Sequence, residues 1–135
     1  MMNNYNKTFT GLILIFCLIF SAEAQTSDEI LNSCKTALKA GSSKDLSTYF
    51  SDLVDLGLLG EKSSYSKSHA QVLLKDFFIK YPPVDFQYIH QGSSKEGLKF
   101  VIGKYTYNGG SFRVYFLIKQ FSGNYLIDTL DFSKE

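Results

Sequence analysis

The sequence predicts an α+β domain in which helices pack on a curved, mostly antiparallel sheet. Four segments between Val84 and Phe132 alternate apolar and polar residues, and each is followed by Gly, Asn or Ser. This pattern is typical of an antiparallel meander with one face on a core. Before the meander, apolar residues recur at helical spacing, most clearly from Ala70 to Tyr81. The predicted order is helix, helix, strand, helix and then four strands.

The composition is that of a folded domain and argues against a nucleic-acid partner. The chain has 135 residues, of which 44% are hydrophobic and 20% charged, so it carries enough apolar surface to form a core. The net charge is +1, and lysines are mixed with acidic residues along the chain. Because no basic block is present, the electrostatic footprint of phosphate-backbone binding is missing.

The first 24 residues have the features of a secretory signal peptide. Lys7 precedes an unbroken run of nine apolar residues, Leu12 to Phe20, and Ala22-Glu23-Ala24 offers small residues for cleavage before Gln25. The run is too short for a spanning helix, which needs about 20 apolar residues. We therefore expect an exported protein, periplasmic or secreted, without a stable membrane anchor. The mature chain, 25–135, would form a single domain.

Two helices, a strand and a loop are predicted at the start of the domain. The first helix runs from about Ser27 to Ala40, with a capping box of Thr26 and Glu29 and with Gly41 as its stop. A shorter helix is expected at about 44–50. A short strand at 53–59 and a polar loop at 60–66 follow.

The third helix carries six apolar residues at helical spacing between Ala70 and Tyr81. Ser68, with Gln71 three residues on, forms a capping-box pattern, and Ser66 is the alternative start. Pro82 ends the helix because the residue before a proline is pushed out of the helical region. Two Phe and one Tyr on one face require a broad apolar partner, which only the sheet can supply.

The hairpin at Asn108-Gly109-Gly110 sets which sheet faces are apolar. A three-residue loop would align Leu98, Phe100 and Ile102 with the apolar face of the next strand, whereas a two-residue loop would place them on opposite sides. We predict three residues. In the last strand the apolar residues change from odd positions, Tyr125 and Ile127, to even positions, Leu130 and Phe132. A bulge near Asp128–Thr129 would keep all of them on one face.

With this register the sheet is apolar on both faces. The residues predicted to point away from the helices include Val101, Tyr105, Tyr107, Tyr115 and Leu117. A monomer seldom exposes so broad an apolar surface. The hypothesis is therefore an interface, formed either with a second copy in a homodimer or with another envelope protein.

Four residues are candidates for binding a small molecule. His90 could act as a general base or metal ligand, or be a core histidine hydrogen-bonded to the loop that follows it. Asp128 could form a cross-strand ion pair with Lys119, or act as a general base in an apolar pocket. Arg113 and Tyr115 could recognise a carboxylate or stack on a ligand, or belong to a solvated face.

No pattern in the sequence specifies catalytic chemistry. The chain has no nucleophile elbow and no phosphate-binding glycine loop. Its two histidines, His69 and His90, are far apart and have no cysteine partner, so we predict neither a metal nor a cofactor. Cys34, the single cysteine of the mature chain, is spaced with Ile30 and Leu38 as a buried hydrophobe would be, and a reactive thiol is the alternative.

Several short motifs resemble a family of small exported bacterial proteins described only as a domain of unknown function with a nuclear-transport-factor-2-like (cystatin-like) fold. They are Tyr65-Ser66-Lys67, Leu74-Lys75-Asp76-Phe77-Phe78, His90-Gln91-Gly92-Ser93, Ile102-Gly103 and Phe112-Arg113-Val114-Tyr115-Phe116. The resemblance covers nearly all of the mature chain. It implies the fold and no activity, because no catalytic or binding residues are established for the family. The fold hosts dehydratases, isomerases, ligand carriers and interaction modules.

Three functional hypotheses follow. The first is a non-enzymatic ligand-binding or protein-interaction domain. The second is a small-molecule isomerase or hydratase, which needs His90 or Asp128 inside an apolar pocket. The third is a structural role with an interior filled by Phe77, Phe78, Phe100 and Phe116. An open pocket would separate the first two hypotheses from the third.

Cleavage before Gln25 is directly testable. When the whole chain is expressed in a secreting bacterium, the exported protein should have the intact mass of residues 25–135, and Ala24→Leu should slow its processing by removing the small residue next to the cut. An exported protein that retains residues 1–24 would contradict the signal-peptide prediction.

Overall fold

The computed structural model describes residues 26–135, so the predicted signal peptide lies outside the described residues. In this part of the chain three helices pack on one six-stranded sheet. The helices are α1 (Ser27–Ala40), α2 (Ser43–Ser47) and α3 (Lys67–Lys80). The strands are β1 (Phe50–Leu58), β2 (Glu61–Ser66), β3 (Pro83–Ser93), β4 (Lys99–Tyr107), β5 (Gly110–Phe121) and β6 (Asn124–Lys134).

The order of strands in the sheet is β2-β1-β6-β5-β4-β3. Neighbouring strands are antiparallel except β1 and β6, which are parallel. The predicted α+β class with a mostly antiparallel sheet is therefore confirmed. Within residues 26–135, no helix has the length and apolarity that crossing a membrane requires.

The ends of α1 form as predicted. The Thr26 side chain accepts a hydrogen bond from the Glu29 backbone N–H, and the Glu29 carboxylate accepts one from the Thr26 backbone N–H, both at 3.3 Å. Gly41 closes the helix in the left-handed region, with φ 64°. Pro83 lies 3.1 Å from where a Cβ on Gly41 would be, so a larger residue there would meet both backbone strain and crowding.

Helix α3 begins at the alternative cap. The Ser66 hydroxyl accepts a hydrogen bond from the His69 backbone N–H at 3.3 Å, so Ser66 and not Ser68 is the N-cap. Gln71, expected to complete a box with Ser68, instead accepts a hydrogen bond from the Ser47 hydroxyl at 3.1 Å. This contact ties α3 to α2.

The predictions between the second and third helices need correction. Helix α2 ends at Ser47, and Phe50 already belongs to β1. Residues 61–66 form β2 and not a loop. The sequence gives no alternation there because β2 is an edge strand whose side chains are mostly polar and exposed. Its hairpin with β1 turns at Leu59 and Gly60, both with positive φ.

The loop between β4 and β5 contains two residues, which corrects the predicted register. Tyr107 pairs with Gly110, so Asn108 and Gly109 alone form the turn. This register places Tyr105 beside Phe112 and Val101 beside Phe116, with all four side chains buried. Phe100 and Ile102 therefore point away from the helices, opposite to the prediction.

Buried Tyr105 can face the core because its hydroxyl has a partner. It donates a hydrogen bond to the Tyr81 backbone carbonyl at 2.5 Å. Between the strands, Gly103 leaves room for the Phe86 ring, which would lie 2.3 Å from a Cβ at that position. Aromatic residues thus fill the inner face of β4 although the strand carries apolar residues on both sides.

The predicted bulge in β6 is confirmed. Leu117 pairs with Thr129 and Ile118 with Ile127, which leaves Asp128 as the extra residue. The bulge changes the parity of the strand, so that Ile127 before it and Leu130 after it are both fully buried.

Aromatic rings fill the space between α3 and the sheet. The Phe77 ring lies 4.7 Å from that of Phe132, 5.6 Å from that of Phe112 and 5.1 Å from that of Tyr81, measured between centroids. Phe78 stacks on Tyr105 in the same layer. The interior between α3 and the sheet is therefore packed with aromatic side chains, as the hypothesis of a structural role expected, although Phe100 does not contribute.

Phe77→Ala should reduce the free energy of unfolding by roughly 3–5 kcal/mol, because it removes a ring packed on three others and leaves a cavity. Urea unfolding followed by circular dichroism measures this change. The matched control is Ile79→Ala, two residues along the same helix, where the side chain is 68% exposed and the effect should stay within about 0.5 kcal/mol. Equal losses in the two variants would contradict the packing.

Cys34 is a buried residue of the core, as predicted. It lies on α1 and is fully inaccessible to solvent. Burial raises the pKa of its thiol to about 12. Nearby, the Tyr88 hydroxyl donates a hydrogen bond to the Leu31 carbonyl at 2.6 Å, and burial raises the pKa of Tyr88 as well. Because only the thiolate is strongly nucleophilic, burial and the raised pKa both argue against a reactive thiol at Cys34.

The raised pKa of Cys34 makes stability fall at alkaline pH. Between the ordinary value of 9.0 and about 12 the unfolded chain loses the thiol proton while the folded chain keeps it, so the free energy of unfolding decreases as pH rises through this window. The loss from one group approaches about 1.4 kcal/mol per pH unit. Cys34→Ala should flatten this slope in urea unfolding experiments, and an unchanged slope would contradict it.

Candidate functional site

The candidate residues lie on the outer face, which we define as the side of the sheet opposite the helices. One row crosses four strands in direct pairing: Asp131 on β6, Tyr115 on β5, Ile102 on β4 and His90 on β3. Because paired residues share a face, the row runs from a carboxylate, across two apolar residues, to an imidazole.

An apolar patch occupies the middle of the outer face. It consists of Phe100, Ile102, Tyr115 and Leu117, where Phe100 pairs with Leu117 and Ile102 with Tyr115. Phe100 is 38% exposed. The tip of its ring lies over Gly92 on β3, because a Cβ on Gly92 would come within 2.1 Å of the Phe100 Cζ, and only glycine permits this approach.

His90 and Arg113 come together at a surface depression. Ile89, Ile102, Lys134 and Glu135 complete its lining, and its volume is about 550 Å³. His90 is exposed, so the interpretation as a core histidine is wrong. The register shift between Tyr88 and His90 explains this, because a bulge turns His90 to the outer face while Tyr88 stays packed on the core.

Asp128 forms the predicted cross-strand ion pair. Its Oδ1 lies 3.4 Å from Lys119 Nζ, and its Oδ2 accepts a hydrogen bond from the Thr129 hydroxyl at 3.1 Å. Asp128 does not line the depression that holds His90 and Arg113. The structure therefore brings two of the four ligand-binding candidates, His90 and Arg113, together. Tyr115 lies two strands from His90 in the same row, and Asp128 lies outside the depression.

Three of the five predicted interface residues are not on the outer face. Val101 and Tyr105 are buried in the core, and Tyr107 packs on it, with its ring 4.6 Å from that of Phe112. The reason is the two-residue turn, which exchanges the inner and outer sides of β4. Tyr115 and Leu117 keep their predicted face.

Four residues of the outer face were not predicted from the sequence: Phe100, Ile102 and Lys104 on β4, and Asp131 on β6. For the three residues on β4 the reason is the turn. The Asn108-Gly109 pair carried the necessary signal, because Asn-Gly favours a two-residue turn and that turn places the even-numbered residues of β4 outside.

Like charges lie opposite each other at one end of the outer face. Lys104 on β4 pairs directly with Arg113 on β5. Lys134 pairs with the inner-face residue Phe112, but at the end of β6 it lines the depression together with Arg113. We call these three residues the basic cluster. The ion pairs of residues 26–135 are Lys39–Asp85 and Lys119–Asp128, so no member of the basic cluster takes part in one.

Neither candidate base is enclosed by the part of the chain that the structure describes. His90 is exposed and Asp128 is paired with a lysine, so neither candidate base lies in a water-excluded pocket. Among the described residues, no group of three or more His, Cys, Asp or Glu is placed to hold a metal ion. The outer face offers apolar contact flanked by charge.

Solved structures show close similarity in fold. A DUF4783 family protein from Bacteroides ovatus aligns with a TM-score of 0.72 and 35% identity, over 76% of this chain and 93% of that one. A second, from Bacteroides uniformis, aligns with a TM-score of 0.72 and 29% identity, over 77% and 95%. No curated protein matches the chain.

A more distant neighbour supports the fold alone. An uncharacterised cystatin-fold protein from Novosphingobium aromaticivorans aligns with a TM-score of 0.59 and 12% identity, over 78% of this chain and 96% of that one. The nuclear-transport-factor-2-like, cystatin-like fold is thereby confirmed. The model of the domain of unknown function DUF4783 matches residues 31–133, and the chain belongs to this family.

Proposed function

We propose that this chain is an exported, non-enzymatic protein-interaction domain that pairs with a second copy of itself through the outer face of its sheet. Export rests on the predicted signal peptide. The choice of surface rests on the packing of the interior, where Phe77 and its neighbouring rings fill the space between α3 and the sheet. A partner molecule therefore has to bind outside.

The apolar patch has the chemistry of an interface centre. Phe100 and Tyr115 are aromatic, and Ile102 and Leu117 are their direct strand partners. Interface centres are enriched in aromatic residues and depleted in lysine and carboxylates. The patch follows this composition, because the charged residues of the outer face lie around it and not within it.

The row Asp131–Tyr115–Ile102–His90 is complementary to itself, and this observation carries the proposal. A two-fold axis parallel to the strands, midway between β4 and β5, would place Tyr115 over Ile102 of the second copy. The same rotation places the Asp131 position of each copy over the second copy's His90. The Asp131 carboxylate lies over Gly57 on β1, and a rotation of this side chain toward His90 would join a carboxylate acceptor to an imidazole donor twice. Stacked sheets keep their strands within about 30° of parallel, which suits this axis.

The enzyme alternative finds less support in the geometry. An isomerase or hydratase would need His90 or Asp128 to reach a substrate in an enclosed apolar site. His90 lies in the open on β3, and the Asp128 carboxylate is held by Lys119. The self-complementary row gives His90 a partner without requiring catalysis.

Sedimentation equilibrium from micromolar to millimolar protein tests the pairing, using protein purified after expression of the whole chain. We expect a monomer–dimer equilibrium, and Tyr115→Glu should weaken it roughly 30-fold, as the loss of a binding hot spot does. Ile79→Glu is the matched control, because Ile79 is also an exposed apolar residue but lies on α3, and it should leave the equilibrium unchanged.

Three results would contradict the proposal. The first is a wild-type protein that stays monomeric at millimolar concentration. The second is a Tyr115→Glu variant that is folded by circular dichroism and dimerises as well as the wild type. The third is a different protein that binds through Tyr115 while the chain itself stays monomeric.

A further inference from the structure

The basic cluster leaves positive charge unneutralised at one end of the outer face. Lys104 and Arg113 are direct cross-strand neighbours, and Lys134 lies with Arg113 at the depression. The one carboxylate side chain lining the depression belongs to Glu135, whose Oε2 accepts a hydrogen bond from the Ser111 hydroxyl at 2.5 Å. Arg113 and Lys134 thus lie at the depression with one carboxylate side chain, and Lys104 lies beside Arg113 on the neighbouring strand.

Such an arrangement is unfavourable without a further anion. Like charges placed directly opposite each other on adjacent strands destabilise the sheet. The acids that could relieve them are used elsewhere: Asp85 pairs with Lys39 at 3.6 Å, and Asp128 pairs with Lys119. Asp131 lies one row away, beside Tyr115, where the proposed pairing uses it.

Pairing of two copies concentrates this charge further. Arg113 and Lys104 form the row next to Tyr115 and Ile102. The two-fold axis that brings Tyr115 over Ile102 therefore brings Arg113 over Lys104 of the second copy. Both basic clusters meet at the same end of the interface, and their repulsion opposes the apolar contact beside them.

From this geometry we infer that the basic cluster binds a small oxyanion carrying two negative charges, and that this anion strengthens the pairing of the two copies. The inference rests on the proposed function. Guanidinium groups bind oxyanions through two parallel N–H donors, and lysines add charge without a fixed direction. The depression of about 550 Å³ is large enough for a sulfate, a phosphate or a short dicarboxylate.

The number of donors favours an oxyanion over chloride. Arg113 and Lys134 contribute charged donors to the lining of the depression, and Ile89 and Ile102 contribute apolar surface. A single chloride cannot bridge several donors in both copies, but an oxyanion with separate oxygen atoms can. Inorganic and organic dianions share this chemistry, and the experiment separates them.

The test measures the dimer dissociation constant by sedimentation equilibrium in three buffers of equal ionic strength, containing chloride alone, millimolar sulfate or millimolar succinate. The dimer dissociation constant of the wild type should fall about tenfold in at least one dianion. This is the change expected when a dianion that binds only the dimer is present at roughly ten times its own dissociation constant. Sulfate alone would identify an inorganic oxyanion, succinate alone a dicarboxylate, and both a general dianion site.

Two double variants sharpen the test. Lys104→Gln with Arg113→Gln should dimerise more tightly than the wild type in chloride, because the repulsion is gone, and should not respond to sulfate or succinate. Lys44→Gln with Lys75→Gln removes the same charge from two exposed lysines at the helices and should respond like the wild type. This control also corrects for the general stabilising effect of sulfate.

The failures of the two proposals are distinguishable. A wild type that dimerises equally in all three buffers would overturn the anion site and leave the pairing intact. A response to dianions that persists in Lys104→Gln with Arg113→Gln would overturn it too. A wild type that stays monomeric in chloride, sulfate and succinate would overturn the pairing itself.

Discussion

The register of the β4–β5 hairpin is the constraint on which the rest of the structure depends. Because Asn108 and Gly109 alone form the turn, Tyr105 and Val101 join the core and Phe100 and Ile102 face outward. A register shift of one residue would exchange these sets, since side chains alternate along a strand. The turn therefore determines both what packs against α3 and what the outer face presents.

The space between α3 and the sheet is filled by side chains, whereas a protein that holds a ligand inside its fold leaves a cavity there. Phe77 contacts rings from β5 and β6, and the Tyr105 hydroxyl is satisfied by the Tyr81 carbonyl, so apolar and polar groups inside are both accounted for. The same fold carries many unrelated functions, and its sites are set by local residues. Here the residues that have no partner in the interior lie on the outer face. In the row from Asp131 to His90, a carboxylate and an imidazole flank the apolar contacts of Tyr115 and Ile102.

Features encoded in short stretches of sequence were predicted well, and features set by pairing between distant strands were predicted less well. Short stretches of sequence predict two such features, the capping box of Thr26 and Glu29 and the bulge at Asp128, and both are confirmed. The edge strand β2 had no apolar alternation to reveal it. The interpretation of His90 as a core histidine is wrong because the bulge beside it has no sequence signature of its own. Strand β4 is apolar on both sides, so only the turn could decide its orientation.

The most direct measurement is solvent paramagnetic relaxation in methyl-labelled protein with a soluble gadolinium chelate. The account predicts that the Ile102 methyl relaxes quickly in dilute protein and becomes protected as the concentration rises, whereas the Val101 methyls stay protected throughout. The first behaviour reports an outer face that a second copy covers, and the second reports the packed interior. A Val101 signal that relaxes as fast as that of Ile102, or an Ile102 signal that is independent of concentration, would contradict the account.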